Sequence, residues 1–108
     1  MPHHPNEFLP VAELSDIPKS GMLPVEIDDR FLVLVQIDGQ IYCLDDVCTH
    51  DGGPLGEGEL VGSCLVCPRH GAQFDVRSGR AMTMPATEST ATHSVKVDGG
   101  TVYVKLSD

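Results

Sequence analysis

Cys48-Thr49-His50-Asp51-Gly52-Gly53-Pro54-Leu55 and Cys67-Pro68-Arg69-His70-Gly71-Ala72-Gln73-Phe74-Asp75 are the two stretches that decide how this chain is read. Each opens on a cysteine and offers a histidine shortly after, as C-x-H in the first and C-x-x-H in the second. Residues 51–66, sixteen positions, lie between His50 and Cys67. Two thiolates and two imidazoles from two loops suit a [2Fe–2S] centre with cysteines on one iron and histidines on the other. The same four donors also suit a structural zinc site. An iron pair ligated by Cys48, His50, Cys67 and His70 has no open position for a substrate, which points to electron transfer. Neither Ser63 nor Ser78 has an evident base partner, so no catalytic residue is expected.

Two further cysteines need a separate account. Cys43 lies in the apolar run Ile41-Tyr42-Cys43-Leu44 and is expected as a buried free thiol. Cys64-Leu65-Val66-Cys67 is a C-x-x-C, open to reading as a redox pair or half a zinc site, but the Cys67…His70 spacing explains Cys67 better. His93 stands far from both motifs and is expected on the surface of a closing strand.

Around the motifs the chain reads as strands. Helical periodicity is absent, and 11 glycines and 8 prolines punctuate the sequence. Strands are expected at 8–11, 22–27, 31–37 and 40–44, with a turn at 16–21, a join at 28–30 and a hairpin at Asp38-Gly39. Phe31-Leu32-Val33-Leu34-Val35 is apolar without alternation, as in a strand covered on both faces. Short strands follow at 60–61, 65–66 and 72–76, then a proline-marked loop, Met82-Thr83-Met84-Pro85-Ala86. A final hairpin runs 91–97 and 101–106 about Asp98-Gly99-Gly100, with Val95, Val97, Val102 and Val104 alternating with polar neighbours. The fold class is therefore all-β. An antiparallel base built from both ends of the chain is expected to carry a loop-rich insert at about 46–86, the whole of 1–108 forming one domain.

The 108 residues carry 16 acidic and 7 basic side chains, a formal net charge of −9. That charge argues against nucleic acid and anionic membrane as partners and favours a partner with a basic docking face. No apolar run approaches the ~20 residues of a membrane span. Residues 1–5 show neither the basic nor the apolar region of a secretory signal, so a cytoplasmic, soluble monomer is expected.

On the two quoted motifs, with Met84-Pro85-Ala86 matching a proline loop, the sequence resembles the Rieske family over nearly its whole length. The resemblance implies a Rieske-type sandwich or barrel base and one [2Fe–2S] cluster. Cys48 and Cys67 would hold its inner iron, His50 and His70 its outer iron, with Pro54, Leu55 and Pro85 as an apolar docking tip. Rieske proteins of membrane respiratory complexes carry two more cysteines, as a disulfide, where this chain has Gly53 and Arg69. They also place a serine and a tyrosine where this chain has Ala72 and Phe74. Without those hydroxyls the reduced cluster is less stabilised, so a potential near the low end of the Rieske range, about −150 mV, is expected. The chain is too short for the extra domain of an oxygenase catalytic subunit. It resembles the small ferredoxin that carries single electrons from a flavin-dependent reductase to a ring-hydroxylating terminal oxygenase. The small subunit of a nitrite reductase and a structural zinc module are the alternatives.

Overall fold

The computed structural model describes residues 7–27, 29–46, 58–67, 71–82 and 90–106. Nine strands occupy these segments: β1 (Leu9–Glu13), β2 (Met22–Ile27), β3 (Arg30–Ile37), β4 (Gln40–Asp45), β5 (Glu59–Val61), β6 (Cys64–Val66), β7 (Gln73–Asp75), β8 (Thr92–Asp98) and β9 (Thr101–Lys105). One short 3-10 turn, Leu14–Asp16, follows β1. It closes on Glu13, whose N–H donates to the Asp16 carboxylate at 3.0 Å.

Six strands form one antiparallel sheet in the order β1-β9-β8-β4-β3-β2, and β1 approaches β2 so that the sheet nearly closes. β5, β6 and β7 form a second, smaller sheet, inserted in sequence between β4 and β8. The all-β, Rieske-like base expected from the sequence is the architecture observed.

Local chemistry sets the register. β3 and β4 are joined at Asp38-Gly39, both with positive φ (51° and 81°), while Ile37 pairs with Gln40. Such a turn matches the right-handed twist of its strands, which is why Asp-Gly is so strong a hairpin signal. The Asp98-Gly99-Gly100 turn likewise sets Asp98 against Thr101.

Phe31, expected within the covered run, is instead 67% exposed at the start of β3, while the other four residues of the run have two destinations. Leu32 and Leu34 face the interior of the large sheet with Ile27, Cys43, Val102 and Val104. Val33 and Val35 face the other way, onto Leu65, Cys67, Ala72, Phe74 and Val76 of the small sheet and its flanks. Successive side chains on a strand point to opposite faces, so one strand serves two cores. Each fully buried Leu or Phe contributes roughly 1.5–3 kcal/mol.

Candidate metal centre

Of the four expected ligands, Cys67 lies within the described residues. Cys48, His50 and His70 lie outside them, as do Gly53, Pro54, Leu55, Arg69, Met84, Pro85 and Ala86.

Cys67 continues β6 at the mouth of its hairpin with β7. Val66 pairs with Gln73. The Cys67 N–H donates to the Ala72 carbonyl at 2.7 Å, and the Cys67 carbonyl accepts the Gly71 N–H at 3.1 Å. Two backbone hydrogen bonds thus join the described residues on either side of 68–70. Gly71, with a positive φ of 75°, gives its N–H to this turn. The Cys67 side chain is 1% exposed and packs with Leu65, Ala72, Phe74 and Val76 against the base. This environment suits a cluster ligand: it is rigid, apolar and closed to water, and both features tune a bound iron–sulfur centre. Ala72 and Phe74, both wholly buried in the same group, bring no side-chain hydroxyl.

Cys64 does not join Cys67. Three residues apart on an extended strand, the two side chains point to opposite faces. Cys67 is buried and Cys64 only half-buried, and neither forms a disulfide. The redox-pair reading of C-x-x-C is therefore not what the strand provides. Cys43 is a buried free thiol, as expected, with its pKa pushed up to about 12. Burial is the main cause; the Asp45 carboxylate adds to the rise and the Arg30 guanidinium opposes it. Among the described residues no group of three or more His, Cys, Asp or Glu side chains is arranged to hold a metal.

His93 is the residue whose placement the sequence misled. It was expected on the surface, yet it is buried, with its side chain wholly enclosed. It pairs with Cys43 across β4 and β8. Its Nε2 lies 2.8 Å from Asp45 Oδ1, the oxygen that also accepts from Arg30 Nη2 at 3.3 Å. A signal existed: His93 is in phase with Val95, which packs against the interior, although Val97 on the same alternation was expected inside and is 43% exposed near the hairpin end. Its carboxylate partner, on a strand 48 positions away, leaves no local mark.

The small sheet is clasped to the base on its β7 side. The turn after β7 closes through Gly79 N–H to Asp75 C=O at 2.7 Å, and the Gly79 carbonyl accepts the Thr90 N–H at 2.7 Å. Gly79 has φ +74, and a Cβ there would collide with the Thr90 carbonyl. Only glycine fits both conditions.

Residues 7–97 match the model of the Rieske [2Fe-2S] domain. The chain belongs to the Rieske [2Fe–2S] family, and its cofactor is a Rieske-type [2Fe–2S] cluster. It is 35% identical over 101 residues to the ferredoxin component of the naphthalene 1,2-dioxygenase system of Pseudomonas aeruginosa, covering 94% of this chain and 97% of that one. Its fold superposes on a ferredoxin solved in complex with the reduced oxygenase of carbazole 1,9a-dioxygenase, with a TM-score of 0.84, 32% identity and coverage of 93% and 94%. The carbazole 1,9a-dioxygenase ferredoxin of Nocardioides aromaticivorans shares the fold at a TM-score of 0.87 and 24% identity, covering 93% of this chain and 98% of that one. Within the family this chain is a ferredoxin, an electron-transfer component and not a catalytic subunit.

Proposed function

We propose that Cys48 and Cys67 hold the inner iron of the cluster and His50 and His70 the outer iron, the whole of residues 1–108 acting as one domain whose 46–86 segment carries the site. When bound, the cluster supplies a centre that takes up and gives back one electron. The chain's own part is to hold that centre still and dry. The buried Cys67, on a backbone pinned by Ala72 and Gly71, is the observation that carries this reading. Histidine ligation leaves the oxidised cluster formally near neutral, so an added electron costs less than on a four-thiolate cluster.

The partners on this reading are a flavin-dependent ferredoxin reductase, which loads the electron, and a terminal oxygenase that hydroxylates an aromatic ring. Support for the second comes from the carbazole 1,9a-dioxygenase ferredoxin, which was solved in complex with its oxygenase. A net charge of −9 favours partners with basic docking faces. The protein works as a cytoplasmic monomer; among the described residues no helix is long and apolar enough to cross a membrane.

Ala72 and Phe74 place the potential low. A potentiometric titration of the purified protein is expected to show one one-electron step near about −150 mV. A midpoint above zero would overturn the low-potential assignment. A colourless protein with no titration, holding zinc, would overturn the cluster assignment itself.

A further inference from the structure

Asp45 sits where two segments of the cluster region meet the base. In sequence, Asp45 stands two residues before segment 47–57, which carries Cys48 and His50, and Thr90 directly follows segment 83–89, which carries Met84-Pro85-Ala86. Asp45 is tied to residues 90–91: its N–H donates to the Ala91 carbonyl at 2.9 Å, and its own carbonyl accepts the Thr90 hydroxyl at 3.5 Å. Next to it, the Asp46 N–H donates to the Phe31 carbonyl at 2.9 Å.

The side chain of Asp45 is held with equal care. Leu32 pairs with Asp45 and Cys43 with His93, so alternation puts Arg30, Cys43, Asp45 and His93 on one face, at one end of the interior of the large sheet. His93 is fully enclosed there, while Asp45 is 25% and Arg30 34% exposed. A polar group is rarely enclosed this way unless its hydrogen bonds fix something. Asp45 Oδ1 provides that fixing, taking both His93 at 2.8 Å and Arg30 at 3.3 Å. Thr90, held through Asp45, in turn donates its N–H to the Gly79 carbonyl, which anchors the β7 side of the small sheet.

We propose that Asp45, locked by His93 and Arg30, is a positioning residue for the cluster, tying together the backbone at residues 45–46 and 90–91, which flank in sequence the segments that carry Cys48, His50 and Met84-Pro85-Ala86. This rests on the ligand assignment proposed above. Asp45 and His93 act through the backbone at residues 45–46 and 90–91, not by touching iron. Loss of a side chain that orients metal ligands commonly weakens metal affinity about 10- to 100-fold.

The test uses the holoprotein and three variants: His93→Leu, which removes the bond to Asp45; His93→Gln, which can restore a donor; and Asp45→Asn, which keeps the shape but removes the charge. Three readouts are taken: the rate of iron loss to a chelator, the linewidth of the reduced-state EPR signal, and the midpoint potential. For His93→Leu we expect iron loss about tenfold faster, a broadened signal and a shifted potential. His93→Gln should return most of the way to wild type. Asp45→Asn, the variant that decides if His93→Leu fails to fold, should change in the same direction by about twofold to tenfold. Wild-type values of all three readouts in a folded His93→Leu or Asp45→Asn protein would overturn the proposal. So would a melting temperature that falls with the cluster readouts unmoved, since that marks a purely structural pair. Failure of the ligand assignment is separately visible, as a wild-type protein whose reduced signal carries no coupling to histidine nitrogen.

Discussion

The large sheet and the small sheet reach stability by different routes. The large sheet has six strands of five to eight residues and encloses an apolar interior of its own, with Leu32, Leu34, Cys43, Val102 and Val104. The small sheet has three strands of three residues each. It buries one face, and three of the eight buried residues of that core, Val33, Val35 and Leu44, belong to the base. Strands of three residues are at the short end of the usual range, and a face that takes part of its core from the base is not a unit of its own. On the proposed assignment, ligands from residues 48–50 and 67–70 would make the cluster part of the fold as well as the cofactor, because metal binding and folding are coupled. On that assignment the base is the platform, and the order of the small sheet is expected to depend on the cluster.

Removing the metal should break the comparison most sharply. In hydrogen exchange on the iron-free protein, amides of 59–66 and 73–75 are expected to lose protection by orders of magnitude while β3, β4, β8 and β9 keep theirs. Equal loss in both sheets would show that they fold as one cooperative unit.

Gly79→Ala attacks the clasp between the two. The residue's left-handed backbone costs a side chain ~1–2 kcal/mol before the collision with Thr90 is counted. Chemical denaturation should show a loss of a few kcal/mol, with the cluster released ahead of the base. A single transition with wild-type midpoint would mean that the Gly79–Thr90 bond contributes little.

Cys43 sharpens the comparison from the base side. Its thiol stays protonated in the folded state up to about 12, against an ordinary value of 9.0. Above pH 9 the unfolded chain therefore sheds this proton while the folded one retains it, and stability falls as pH rises between those two values. Below pH 9 the term is absent from the pH dependence. Cys43→Val should flatten part of that alkaline loss, by up to a few kcal/mol at its upper end, as read by urea denaturation at pH 8 and pH 10.5. An unchanged slope would remove Cys43 as its source.

What the sequence disclosed depended on how local the cause was. Asp38-Gly39 announced a hairpin because two positive-φ residues make that turn by themselves. The apolar run of β3 announced a doubly covered strand, since neither face tolerates a charge. The C-x-H and C-x-x-H pair was legible because ligand spacing is local. Strand ends shifted by one or two residues: the first strand begins at Leu9 and reaches Glu13, where the sequence suggested 8–11. The pairing of Asp45 with His93 was hidden, because a carboxylate on β4 and an imidazole on β8 become neighbours only when the sheet order β8-β4-β3 is known. The opposed facing of Cys64 and Cys67 was readable in principle, since a strand at 65–66 already implies it.

Pulsed EPR of the dithionite-reduced protein tests the four-ligand cluster most directly. Two strongly coupled nitrogens are expected, one lost in His50→Cys and the other in His70→Cys. A reduced protein with no strong nitrogen coupling, or with both couplings intact in either variant, would contradict the assignment of His50 and His70 to the outer iron.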